Sequence, residues 1–243
     1  MNKFAAFDVD GTLIRWILYH AVVNKLAERG VLGEDFKDLL KRERIKWKRH
    51  DHSKSHSNYE ATLIDEYLKR KKGLDYKEYL SATQEVANEY KDQRYAYTFN
   101  LAKRLKDKGY ILLMITGSQE EVVRPVAKTY GFDDFIADKI EVDENGRLTG
   151  GFETAVFDKG TALKRLVKKH NLTFEGSYAI GDTIKDAPML EMVENPIAFN
   201  PSKELFEIAT KHKWPIVLER KNMIYKLTMQ DGMYQLQDED YEL

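Results

Sequence analysis

The sequence predicts an α/β protein: a doubly wound, mostly parallel sheet in the Rossmann manner, with an α-helical domain inserted after its first strand. Three observations predict it. Short apolar, strand-like runs alternate with amphipathic helical periods through most of the chain. Several of those runs end in acidic or hydroxyl residues just before a helix, where an open α/β sheet places its chemistry. The block from 15 to 95, by contrast, carries helical periodicity alone.

Taken in order, the first strand is read at 3–8, an apolar run closing on Asp8. The insertion follows, with apolar positions at helical spacing: Trp16, Leu18, Val22 and Val23; Phe36, Leu39 and Leu40; Leu63, Ile64, Tyr67 and Leu68; Tyr79, Leu80 and Val86. Gly30, Gly33 and Gly73 mark its helix ends. Helices are then expected at 98–108, 119–130, 159–170, 186–193 and 202–212, with strands at 110–115, 177–181, 196–199 and 215–218. Residues 139–151 read as a small hairpin turned by Asn145-Gly146. The polar, acidic stretch 235–243 reads as a frayed end or a peripheral strand. The expected division is thus a core of 1–14 and 96–243 and a helical cap of 15–95, placed to act as a lid over the strand ends.

Composition narrows the function classes. Lys and Arg number 39 against 40 Asp and Glu, so net charge makes no case for nucleic acid or an acidic membrane. The chain has no cysteine, which excludes disulfides, thiol catalysis and thiolate zinc sites. The first strand begins almost at Met1, so no signal peptide is expected, and no apolar run is long enough to span a bilayer. A cytoplasmic location is expected. The basic run 41–54 reads as a solvated helix face, with substrate steering or RNA contact as its alternative.

Four elements carry chemistry. In Asp8-Val9-Asp10-Gly11-Thr12, alternation sends Asp8 and Asp10 the same way from the end of a strand. Two acids so close repel unless a cation or a shared proton offsets them, which suggests a magnesium site with one carboxylate free to react. A calcium loop is excluded, because Gly11 directly follows the second Asp. Next, Thr116-Gly117-Ser118 closes a strand before a helix, a setting for an anion cradle or a plain N-cap. Lys159 opens a helix, where its charge opposes the helix dipole unless it faces an anion such as phosphate or an aspartate. Last, Gly181-Asp182 ends a strand and Asp186 follows four residues on. Asp182 is placed to ligate a cation with Asp8, and Asp186 to bind a metal-bound water or to hold Lys159.

In this order the four elements resemble the motifs of the haloacid dehalogenase-like superfamily of phosphohydrolases, in particular its phosphoserine phosphatase-like branch, whose helical cap follows the first motif. The resemblance implies a magnesium-dependent phosphatase of a small phosphorylated metabolite. Asp8 would be the nucleophile forming an aspartyl-phosphate and Asp10 the general acid and base. Thr116, the Gly117 N–H and Lys159 would hold the phosphate, and Asp8, Asp10 (through its carbonyl), Asp182 and Asp186 would form the metal site. The chain departs from that branch in two places. Where phosphoserine phosphatases carry an acid shortly after the first motif, it has Ile14-Arg15-Trp16-Ile17, and many relatives have Asn at Lys185. Arg15 and Trp16 would favour an anionic or apolar group instead of phosphoserine. A phosphotransferase or mutase would share every motif, and a non-catalytic RNA- or partner-binding protein on this scaffold is the rival of another class.

Overall fold

The computed structural model describes residues 2–49, 55–154 and 158–237. Strand β1 (Asn2–Phe7) lies in the interior of a nine-stranded sheet among the described residues. It pairs in parallel with β2 (Ile111–Gln119) on one side and β5 (Leu172–Gly181) on the other. Beyond β2 come β3 (Asp134–Val142), parallel, and β4 (Leu148–Glu153), antiparallel. Beyond β5 come β6 (Asn195–Phe199) and β7 (Ile216–Arg220), parallel, then β8 (Met223–Gln230) and β9 (Met233–Leu236), antiparallel. The chain therefore moves outward in one direction through β2 and β3 and in the other from β5, which opens a crevice at the C-terminal ends of β1, β2 and β5.

Central strands of such a sheet are covered on both faces, and β1 shows it. Ala5 and Phe7 point into one apolar cluster and Phe4 and Ala6 into another, all four fully buried. The second face is packed by α7 (Lys159–Lys169), α8 (Ala187–Leu190) and α9 (Lys203–His212), through Leu163, Met189 and Leu205. The first is packed by α5 (Ala96–Asp107) and α6 (Glu120–Tyr130), through Leu101 and Val123. That first cluster continues without a break into the four helices of the insertion, α1 (Leu18–Glu28), α2 (Glu34–Arg49), α3 (Ser55–Arg70) and α4 (Tyr76–Tyr90), through Leu18, Val22, Tyr59 and Tyr79. The apolar stripe that makes these helices amphipathic is what seats them on the sheet.

Several boundaries differ from the sequence reading. The strand expected at 110–115 runs on to Gln119, because Gln119 pairs with Asp138. The hairpin expected at 139–151 is present as the antiparallel pair β3–β4, and its first strand reaches back to Asp134 to join β2 in the main sheet. The helix expected at 186–193 is a 3₁₀ turn, Ile184–Asp186, followed by the short α8. Strand β8 was not foreseen, although Asp231-Gly232, both at positive φ (51° and 80°), is a strong two-residue hairpin signal. The peripheral-strand reading of the chain's end holds for β9, while 238–243 lie outside the described residues, as do 50–54 of the basic run and Phe157.

Candidate active site

Local chemistry sets each side chain at the crevice. Asp8 is the first residue past β1, and its N–H still donates to the Ile180 carbonyl of β5 (2.9 Å), so the carboxylate leaves from the sheet's middle. Lys159 is the first residue of α7. The helix start is fixed by Asp158, whose side chain accepts from Gly160 N (3.1 Å) and Thr161 N (3.0 Å) as an N-cap. The Lys159 ammonium turns inward, donating to Asp8 Oδ1 and to Asp186 Oδ1, each at 2.5 Å. Its awkward position against the helix dipole is thus offset by two buried carboxylates.

Asp186 is fully buried and used on both oxygens. Oδ1 takes Lys159, while Oδ2 accepts from Asp182 N (2.9 Å), Thr183 N (2.8 Å) and Thr183 Oγ1 (3.2 Å). The turn after β5 is therefore wound around Asp186, which carries Asp182 to the crevice. Two glycines make room for this convergence. A Cβ on Gly181 would stand 2.4 Å from Asp186 Cβ and Cγ, and one on Gly11, at φ +79°, would stand 2.2 Å from Asp182 Oδ2.

Asp10 faces the insertion. Its Oδ1 accepts from Leu18 N (2.7 Å), and its Oδ2 from Thr116 Oγ1 (2.8 Å) and Ser118 Oγ (2.7 Å). The Ser118 hydroxyl in turn accepts from Tyr19 N (3.0 Å). Ile17 stands at the N-cap of α1 and cannot cap with its side chain, so two of the helix's free N–H groups, those of Leu18 and Tyr19, are satisfied by Asp10 and Ser118 instead. Thr116 is fully buried with its hydroxyl committed to Asp10 and to Ser118 N (3.0 Å), whereas Gly117 and Ser118 line the cavity.

Burial governs the titration of these groups. Loss of water raises Asp8 to about 7 against the pull of Lys159, with Asp186 and Asp10 adding repulsion. Asp182 is raised to about 9 by burial and by its neighbours Asp8 and Asp186. Asp10 is also raised, by burial. Lys159 would be lowered by burial, but Asp186 and Asp8 together hold it above the ordinary lysine value. Carboxylate oxygens of Asp8, Asp182 and Asp186 lie within 4.8 Å of one another. A hard, oxygen-seeking divalent cation fits that donor set, since it would remove the repulsion that pushes these acids upward.

Above the carboxylates lies a cavity of about 630 Å³, roofed by Trp47, Ile64, Tyr67, Leu68 and Lys71 of the insertion. Arg15 lines it but is already tied down: Nη2 bonds the Glu219 carboxylate, Nε donates to the Arg94 carbonyl (3.0 Å), and the guanidinium lies 4.7 Å over the Tyr95 ring. Glu219, on β7, also accepts from Ala96 N (3.0 Å) and Tyr97 N (2.8 Å), the open N-terminus of α5. It thereby pins together the two chain crossings that lead into and out of the insertion. Lys185 stands exposed at the rim. The sequence reading gave no role to Ser118 or Glu219. Ser118 stood in the Thr-Gly-Ser turn and was open to notice, whereas nothing in the local sequence marks Glu219.

Residues 5–191 match the haloacid dehalogenase-like hydrolase family, and the chain belongs to it. Within that class the likeness is to phosphoserine phosphatases. The chain is 23% identical over 211 residues to the phosphoserine phosphatase of Archaeoglobus fulgidus, across 86% of this chain and 55% of that one. It is 32% identical over 111 residues to the inhibition of morphological differentiation protein of Streptomyces azureus, across 45% and 40% of the two chains. The chain thus spans about half the length of these curated relatives or less. A solved phosphoserine phosphatase in a phospho-aspartyl intermediate analogue form shares the fold, with TM-score 0.63, 21% identity and coverage of 90% and 94%. No helix among the described residues is long and apolar enough to cross a membrane.

Proposed function

We propose that this protein is a magnesium-dependent phosphatase that hydrolyses a small phosphorylated metabolite through an aspartyl-phosphate. The convergence of Asp8, Lys159, Asp182 and Asp186 on one buried point beneath a deep cavity carries this reading. Asp8 attacks phosphorus, forming its new O–P bond as the bond to the leaving oxygen breaks. Asp10, oriented by three donors and raised toward its protonated form, gives the leaving oxygen its proton. It then takes a proton from the water that cleaves the acyl phosphate, which frees phosphate and restores Asp8.

Lys159 keeps Asp8 in line and offsets charge as phosphate approaches, and Asp186 holds Lys159 in place. The Gly117–Ser118 segment lines the phosphate end, and Thr116 supports this role at one remove by fixing Asp10. Asp8 and Asp182 would hold the cation, with the Asp10 carbonyl completing the set by family likeness. When bound, the cation supplies charge neutralisation for the phosphate oxygens. Helices α1–α4 serve as the cap, closing the cavity to water and to bulky macromolecules.

A panel of phosphorylated metabolites assayed with magnesium tests this, with Asp8→Asn as the blank. Turnover should fall by at least about 10³-fold in the variant while its thermal unfolding stays cooperative. Labelled water should deliver solvent oxygen to the released phosphate. Transfer of the phosphate to an added alcohol without that label would make the enzyme a phosphotransferase, and substantial hydrolysis by Asp8→Asn would sink the mechanism.

A further inference from the structure

A cavity of about 630 Å³ is far larger than a phosphate needs, and falls within the usual range for enclosing a whole small-molecule ligand. Its outer wall is aromatic. Trp16, just before α1, and Trp47, at the end of α2, line it with ring centroids 6.0 Å apart and planes 32° from parallel. Trp47 is stacked in turn on Tyr59 at 5.4 Å and 22°. Tyr59 is fully buried and hydrogen-bonded to the Asn24 side chain (3.0 Å), so the base of the ladder is fixed before any ligand arrives. Both tryptophans remain only partly buried.

Three charged groups on the same walls are engaged elsewhere, while Lys185 stands exposed at the rim. Arg15 is held by Glu219, Lys71 donates to the Gly151 carbonyl (3.1 Å), and His20 faces Glu60 at 3.7 Å. A zwitterionic leaving group that used Arg15, Lys71 or His20 would have to displace these pairings. A planar apolar group would not, because it gains dispersion and quadrupole contact from rings already in place.

We infer that the phosphomonoester accepted here carries a planar aromatic or heteroaromatic leaving group, seated against Trp16 and Trp47. This rests on the phosphatase reading of the site. The test compares benzyl phosphate with O-phosphoserine and glycerol phosphate. All three are alkyl esters; glycerol phosphate isolates the effect of the ring, and O-phosphoserine adds the zwitterionic charges. Benzyl phosphate should show kcat/KM at least about 5-fold above the other two, the stacking of one ring being worth roughly 5- to 150-fold. Trp47→Ala should raise KM for benzyl phosphate alone, and Trp47→Phe should restore most of the loss. Equal preference among the three esters, or a Trp47→Ala effect common to all, overturns the inference.

A binding arm separates the two proposals. Tryptophan fluorescence of Asp8→Asn should be quenched by benzyl phosphate and not by O-phosphoserine. Quenching without turnover of any ester in the unsubstituted protein would leave the ring site standing and remove the phosphatase reading. Turnover of glycerol phosphate without quenching by the ring ester would do the reverse.

Discussion

Replacing Glu219 by alanine should loosen the joint between insertion and sheet. In the folded protein its carboxylate is almost fully buried and accepts from Arg15, Ala96 N and Tyr97 N. Arg15 is more than a third exposed (38%), so its pairing contributes little, under about 1 kcal/mol. The two amide groups matter more. They belong to the first turn of α5, have no partner within the helix, and would be left without an acceptor. A buried donor in that state costs about 1–3 kcal/mol, and loss of a helix cap typically costs about 1 kcal/mol.

A total near 2–4 kcal/mol is therefore expected for Glu219→Ala, with Glu219→Gln less severe because its carbonyl can still accept. For a chain of this size, that corresponds to a fall in Tm of roughly 4–16 °C, read by circular dichroism. The same variant should raise KM more than it lowers kcat, since the joint positions the cap and not the reacting atoms. A Glu219→Ala protein whose Tm lies within about 2 °C of the parent would refute the argument.

Two further outcomes follow from the site. Asp8 and Asp182, raised to about 7 and about 9, hold protons in the folded chain at pH values where the unfolded carboxyls have lost them. Their contribution to stability is present in full below about pH 4 and is lost as pH rises through 7 to 9. The protein in EDTA should accordingly lose Tm between pH 6 and pH 9, and magnesium should restore most at the alkaline end; a gain in Tm on going alkaline in EDTA would contradict this. Gly181→Ala should displace Asp186, and with it Lys159, at a cost of roughly 1–3 kcal/mol and most of the turnover. Unchanged kcat in that variant would show that the crowding is relieved in some other way.

The reach of the sequence differs from residue to residue. Asp8, Lys159, Asp182 and Asp186 were legible because each stands at a strand or helix boundary that local patterning marks. Their residue types are also chemically out of place unless they meet. Thr116 was legible as a residue but not in its contact, since which oxygen its hydroxyl reaches depends on a strand running four residues farther than the apolar run suggested. Arg15 stood out as a candidate for the substrate, and the structure shows its guanidinium taken by Glu219.

By itself, then, the sequence determined the alternating α/β plan, the helical insertion and the residue types gathered at the strand ends. Hydrophobic period and boundary chemistry are local properties, and the chain writes them locally. Only the tertiary structure decided that Asp10 and Ser118 cap α1, that Glu219 clamps the entrance to the insertion, and that Trp16 meets Trp47 beside the cavity. The partners in these contacts lie from 8 to more than 200 residues apart. No local pattern encodes a pairing that exists only once separate elements have packed.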